Sequence, residues 1–504
     1  MDNMISKIFD SKRLDYSKGF LFLLSLLFIL LPMQYRMEKV LRSLKKFLFK
    51  GVSELPAFFD RGVYFTVSDM LIIGLAAYAF FLIRPSLKKS LFSGSQKFLF
   101  VYFVLVLSLQ IFSAHRNFSF QYYKWAQLSL CSLIVFIISC CGSIFSLSNI
   151  LTLLARSTLL GSMLQCTCAI IQYFSQKPLG LKYLGELNFK AQGFIPSFIF
   201  PNDGSLWMFD HFFSPGMQRI IARAYGTFSD PNMLAGYMVF ASMSSMYLFM
   251  KEKKSIYQSF ILVAVFLQIF TAVITYSRSG FFGIILGAFN FSAFLLWQLR
   301  NKNNSFKDNR EKALLNSKLK KITLVVVSSF IVCFSLFYHQ LLQRGGYVNY
   351  KHTPAQGSDQ ERKIYQDIAL SSIQQNPFKG VGFNSSQFDI KKKAEEKQLP
   401  YYISHPVHNI FLLIASESGL VALGCFVVFL AHSVISMLRR GLSMESIFLI
   451  SIFVPFLGIA CCSHYFFSWT SGRLMFFILM GCICLAGRPK EAPIEKTSLI
   501  PQRA

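Results

Sequence analysis

Residues 257–300 read YQSFILVAVFLQIFTAVITYSRSGFFGIILGAFNFSAFLLWQLR. Two predominantly apolar runs, 257–275 and 279–299, flank Tyr276-Ser277-Arg278. Each is long enough to cross about 30 Å of hydrocarbon as a helix. A helix that is apolar all round belongs in lipid or deep inside a large protein. The connection between the runs has almost no length. The stretch therefore reads as a transmembrane hairpin with an arginine at its tip.

Moving outward from this hairpin, the same pattern recurs from end to end. Apolar runs occupy 19–34, 64–83, 97–114, 125–145, 149–174, 232–250, 257–275, 279–299, 322–340, 407–436, 446–466 and 470–487. They predict an all-α, polytopic membrane helix bundle of about twelve transmembrane helices, a single integral membrane domain over 1–504. Composition agrees: 53% of the residues are hydrophobic and only 15% are charged, against about 25% charged in a soluble domain. No internal repeat is evident. The first run follows a basic start and lacks a small-residue cleavage site, so it reads as an uncleaved span rather than a signal peptide.

The net charge of +27 would suggest nucleic acid in a soluble protein. Here the basic residues sit beside the apolar runs, where they set topology and meet anionic headgroups. Arg84 to Lys89, Lys251 to Lys254, Arg300 to Lys321 and Arg439-Arg440 all fall on one side if the runs alternate. That side is read as cytoplasmic. Both termini then lie inside, and the loops 175–231 and 341–406 lie outside. Residues 35–62 resist the pattern, being basic yet outside. They read as an in-plane amphipathic helix or as a solvated basic loop. The 11 cysteines show no disulfide or zinc spacing. Cys140-Cys141, Cys166 and Cys168, Cys461-Cys462, and Cys482 and Cys484 lie in apolar runs and read as buried thiols.

The longest polar segment is 341–406, read as a large helical periplasmic loop. Asp359 to Ile373 has helical periodicity. Asn376-Pro-Phe-Lys-Gly-Val-Gly382 is a turn, and Lys391 to Lys397 is a charged helical stretch.

Polar residues at membrane depth are expensive and point to function. Four groups stand out, all on the outer side. Arg223-Ala-Tyr-Gly-Thr-Phe-Ser-Asp-Pro-Asn232 enters a span, with Asp230 as a helix cap and Pro231 at its first position. That cap explains Asp230 and Pro231 and leaves Arg223 and an inward-facing Asn232 to be explained. In Tyr276-Ser-Arg278-Ser-Gly280, Arg278 either snorkels to headgroups or presents a planar fork to phosphate. Arg362 lies on the loop helix, three residues after Asp359 and shortly before Tyr365. His405-Pro-Val-His408-Asn409 opens a span that continues through Glu417-Ser-Gly419. His408 is placed to act as a base near neutral pH. Two histidines three apart lack a third ligand nearby in sequence, so no metal site is assigned. Glu417 lies about 13 Å further along the axis and on the opposite side. An interhelical contact suits it better than a catalytic partnership, and Gly419 suits close helix packing.

In this order, the four groups resemble the bacterial O-antigen ligase and O-antigen polymerase superfamily of lipid-linked glycan transferases, over residues 220–436. The resemblance implies an inverting, metal-independent glycosyltransferase of the inner membrane, active on its periplasmic face and without cofactor. Its donor would be a glycan on undecaprenyl pyrophosphate, and its acceptor lipid A-core or a growing glycan. Arg223 and Arg278 match the pyrophosphate-binding arginines and His408 the general base. Arg362, Asn409, Asn232 and Glu417 match supporting positions. His464, Tyr465 and Arg473 lie near the same end without a motif, and Asp69 reads as a helix cap.

The ligase is favoured over the polymerase, because the His-Asn helix entry and the single large loop look ligase-like. A protein O-oligosaccharyltransferase is a third sibling. A transporter would call for broken spans and paired intramembrane acids; no run of such acids occurs.

Overall fold

The computed structural model describes residues 17–33, 66–91, 94–110, 118–186, 197–200, 219–300, 309–345, 354–396 and 406–488. The basic segment 35–62 and His405 lie outside these residues. Twelve apolar helices are α1 (Ser17–Leu30), α2 (Val67–Leu91), α3 (Gln96–Gln110), α4 (Phe118–Cys140), α5 (Leu147–Ser175), α6 (Pro231–Lys251), α7 (Ser255–Ile274), α8 (Arg278–Arg300), α9 (Asn309–Gly345), α12 (Ile410–Leu438), α13 (Met444–Cys462) and α15 (Thr470–Ala486). Between them lie α10 (Pro354–Gln375), α11 (Ser386–Glu396) and the single turn α14 (Tyr465–Ser468).

Among the described residues, eight helices are long and apolar enough to cross a membrane: α4 to α9, α12 and α13. In α1, α2, α3 and α15 the apolar stretch is shorter. One element departs from the all-α expectation. β1 (Ser197–Phe200) and β2 (Arg219–Ala222) pair antiparallel, Ser197 opposite Ala222. Both are short runs rich in β-branched or aromatic residues, SFIF and RIIA.

Helix α6 is the axis of the bundle: its entire apolar window is buried. It is built of small and flexible side chains that let neighbours approach closely. Gly280, Gly283 and Gly287 on α8 face Ala235, Val239 and Met243 on α6, in that order. The two helices therefore run in the same direction. A Cβ on Gly280 would lie 2.4 Å from that of Ala235.

At one end of the bundle, Lys251 closes α6 with a 2.6 Å ion pair to Glu445 of α13 and a 3.0 Å bond to Ser148 of α5. Lys318 donates from α9 to Met250 O and Glu252 O at 2.9 and 2.5 Å. It thereby satisfies carbonyls that the end of α6 leaves open. Sequence placed 300–321 in a loop, whereas α9 begins at Asn309. Lys318 ties that basic stretch to the end of α6. The thiols are mostly buried as expected, but Cys461 and Cys462 are exposed at the end of α13.

Candidate functional site

The opposite end of the bundle gathers the polar groups. Asp230 caps α6, its carboxylate accepting from Asn232 N at 2.6 Å, with Pro231 at the first helical position. The segment before it is locked by two buried glutamines of α5. Gln172 accepts from Gly226 N and donates to Gly226 O, both at 2.8 Å. Gln165 accepts from Thr227 N and donates to Thr227 Oγ1, both at 2.9 Å. Gly226 has φ +60°, and a Cβ there would meet Gln165 Oε1 at 2.5 Å. Glycine is thus required at this position both for conformation and for space.

Arg223 emerges from this clamp. Its Nε donates to Thr275 O at 2.6 Å and its Nη2 to Asn232 Oδ1 at 3.0 Å. Asn232, expected only to face inward, thus meets Arg223. Burial pulls the Arg223 guanidinium down to about 10; the Asp230 carboxylate opposes that shift and the Arg362 charge adds to it. Arg223 remains a cation at neutral pH, and Arg362 lies within its electrostatic reach.

The hairpin tip between α7 and α8 is tightly made. Tyr276 adopts a left-handed φ of +51°, and its hydroxyl lies 2.6 Å from that of Tyr173. Arg223 holds the tip at Thr275 O. Arg344, from the end of α9, holds it at Tyr276 O at 3.3 Å. Arg278 follows as the exposed first residue of α8. Three arginines thus converge on one turn. Arg344 was missed by sequence reasoning, yet an arginine at the end of a span opposite the basic loops was itself a signal.

The histidine half lies on α10, α12 and α14. Asn409 caps α12, its Oδ1 accepting from Phe411 N and Leu412 N at 2.9 and 3.1 Å. That cap fixes the entry of the half-buried His408. The His408 ring stacks near Tyr365 of α10, centroids 5.9 Å apart and planes at 24°. It meets His464 at 5.0 Å and 77°. Tyr365 lies one turn beyond Arg362 on the same helix, so α10 joins the histidine half to the arginine half. The α14 corner is held against α6 as well: Tyr465 meets Gly236, and Asp230 adds to burial in raising the Tyr465 hydroxyl well above its ordinary value.

Glu417 does not reach His408. Its carboxylate accepts from Asn384 N at 2.8 Å and from Ser386 N and Oγ at 3.3 and 2.6 Å, which caps α11. Around it the helix is broken. Gly419 has φ +83° and ψ 168°, a region open essentially to glycine alone. The turn 376–382 docks into this break. Val381 N donates to Ser416 O at 2.8 Å, Gly382 N to Glu417 O at 3.0 Å, and Leu420 N to Pro377 O at 2.7 Å. Gly419 thus admits a loop backbone rather than a second helix, which corrects the packing role expected from sequence.

The break also bends α12. Ile410 and Phe411 line the same narrow apolar cleft as Phe426 and Leu430. Phe466 and Phe467 complete it beside His464. In a straight helix, positions 410 and 430 would stand about 30 Å apart. Two of its lining residues, Ile410 and Phe466, follow His408 and His464 by two positions each.

Residues 263–427 match the family model described as O-antigen ligase. The match includes Arg278, Arg344, Arg362, His408, Asn409 and the docked turn, and it begins beyond Arg223 and Asn232. No curated protein matches the chain.

Proposed function

We propose that this chain is a member of the O-antigen ligase superfamily, whose family model residues 263–427 match, and that it transfers a glycan from undecaprenyl pyrophosphate to an acceptor hydroxyl, with lipid A-core as the acceptor. One observation carries the reading. Helix α10 joins an arginine cluster to His408 at a single end of a membrane bundle.

A pyrophosphate is already an activated leaving group. What the protein must add is positive charge where the departing oxygens become negative. Arg223 and Arg278 take that role, with Arg362 and Arg344 adding to the field. Planar guanidinium forks match phosphate oxygens in geometry. His408 accepts the proton of the acceptor hydroxyl as that oxygen attacks the anomeric carbon. The new glycosidic bond forms on the face opposite the breaking C–O bond, so the configuration inverts. His408 then returns its proton to water. The arginines neutralise the leaving group, which makes the scheme metal-independent. The apolar side chains that follow the two histidines, Ile410, Phe411, Phe466 and Phe467, suit the first isoprene units of the donor. Asn232 and Asn409 support the site by orienting Arg223 and capping α12, and Glu417 by holding the loop.

In this reading all twelve apolar helices cross the bacterial inner membrane. Both termini are cytoplasmic and the site is periplasmic. The support is the gathering of Lys251, Lys318 and Glu445 at the end away from the arginines and histidines.

Deleting the gene and resolving the lipopolysaccharide on a gel tests the function. Bare core with glycan left on the lipid carrier is expected. Core bearing a single repeat would make the protein the sister polymerase, and unchanged glycoforms would defeat both readings. His408→Ala should lower transfer by about 10²- to 10⁴-fold while the protein still inserts, and Arg278→Ala should abolish it.

A further inference from the structure

The corner between α13 and α15 carries a histidine that no motif in the chain singles out. His464 is 8% exposed. Its Nδ1 lies 2.9 Å from Ser468 Oγ, one turn further on. Its ring crosses that of His408 nearly at right angles, centroids 5.0 Å apart.

The corner itself is rigidly built. Arg473, buried near the start of α15, donates from Nε to Phe467 O at 2.6 Å and from Nη2 to Ser468 O at 2.8 Å. Gly472 lets α15 close onto the turn, since a Cβ there would lie 2.2 Å from Tyr465 O. Phe466 stacks on Phe456 of α13 with centroids 4.3 Å apart. A chain of contacts thus runs from Arg473 through Ser468 to His464, and from there to the face or edge of His408.

We propose that His464 is the positioning residue for His408. A general base works only if its nitrogen points at the proton it removes, and such bases are commonly oriented by a further group. Here that group is a perpendicular imidazole on a pinned turn, with Tyr365 as the second ring. The Ser468 contact fixes the rotation of the His464 ring and so the edge or face it offers. This inference rests on reading His408 as the base.

The test uses the full chain in lipid nanodiscs, with an undecaprenyl-pyrophosphate-linked glycan as donor and lipid A-core as acceptor. His464→Ala should lower kcat by about 10²-fold, the loss expected for a reacting group misplaced by roughly 1 Å, with the KM for donor unchanged. His464→Phe keeps the ring but not the Ser468 contact and should recover turnover in part. His464→Asn keeps a polar partner for Ser468 without the ring and should stay slow. Carbethoxylation of His408 by diethyl pyrocarbonate, followed by mass spectrometry, should quicken in His464→Ala and return towards the wild-type rate in His464→Phe. This readout needs no transfer. Wild-type kcat in His464→Ala, or equal rates in the Phe and Asn variants, would overturn the proposal. Full turnover in His408→Ala would instead overturn the reading of the base.

Discussion

A methyl group placed on Gly419 should undo the joint between the turn 376–382 and α12. Two effects add. The native backbone conformation at φ +83° and ψ 168° costs any other residue about 1–3 kcal/mol. The added Cβ would also lie 2.0 Å from Phe378 O and 2.4 Å from its carbonyl carbon, so the turn must leave. Three backbone hydrogen bonds go with it, from Val381, Gly382 and Leu420, at about 1 kcal/mol each. The total is roughly 4–6 kcal/mol, comparable with the whole margin of a small domain. Its effect should be local undocking of the loop that carries Arg362 and Tyr365. Hydrogen exchange of Gly419→Ala in nanodiscs should show Val381 and Gly382 losing protection, and transfer should fall with them. Gly424→Ala on the same helix is the control. A Cβ there has nothing within 4 Å, so the change should be neutral or stabilising by up to about 1 kcal/mol. Unchanged exchange at Val381 and Gly382 in Gly419→Ala would refute the reasoning.

Other outcomes follow from the same contacts. Glu417→Ala leaves the buried donors of Ser386 and the amide of Asn384 unmet and should cost about 1–3 kcal/mol for each. A double-mutant cycle with Ser386→Ala should show coupling, and simple additivity would count against the cap. Asp230→Ala should cost about 0.5–2 kcal/mol as a lost N-cap, read as a lower Tm in detergent. The advantage of the wild type over Arg223→Ala in binding inorganic pyrophosphate should shrink as pH rises through about 10, where Arg223 gives up its proton and its charge. An ordinary arginine would stay charged there, so an advantage constant well above pH 10 would sink the assignment. Lys251→Met should lower stability by less than about 1 kcal/mol, because the pair with Glu445 is partly solvent-exposed. A larger loss would mean that this end of the bundle depends on it.

The helices were legible in sequence because an apolar run of sufficient length admits few structures in lipid. Each run named from sequence overlaps an apolar helix among the described residues, and eight of these helices are long and apolar enough to cross a membrane. Caps were legible for the same local reason: Asp230 performs its predicted role. So does Asp69, whose carboxylate accepts from Thr66 N at 2.8 Å while Thr66 Oγ1 accepts from Asp69 N at 3.3 Å. What escaped depends on contacts between distant segments. Gln165 and Gln172 share a face of α5, one heptad apart, but nothing local says that they clamp Gly226 and Thr227. His464 lies far from His408 in sequence, and only the bend of α12 at Gly419 and the pinned corner at 463–469 bring their rings together. The strand pair escaped because its two short halves are separated in sequence and mean little alone.

The break at Gly419 has a mechanical consequence. The part of α12 after it, Leu420 to Leu438, rises about 28 Å at 1.5 Å per residue and is enough by itself to traverse the hydrocarbon. In the proposed reading the bilayer therefore need grip only this second part. The first part, from Ile410 to Ser418, hangs from the glycine as an arm, with His408 at its free end and the loop clasped at its shoulder. If His408 is the base, as proposed, its height above the lipid is then set by the protein's own joints rather than by membrane thickness. Transfer should accordingly tolerate thinner or thicker bilayers better than a base mounted on an unbroken span would.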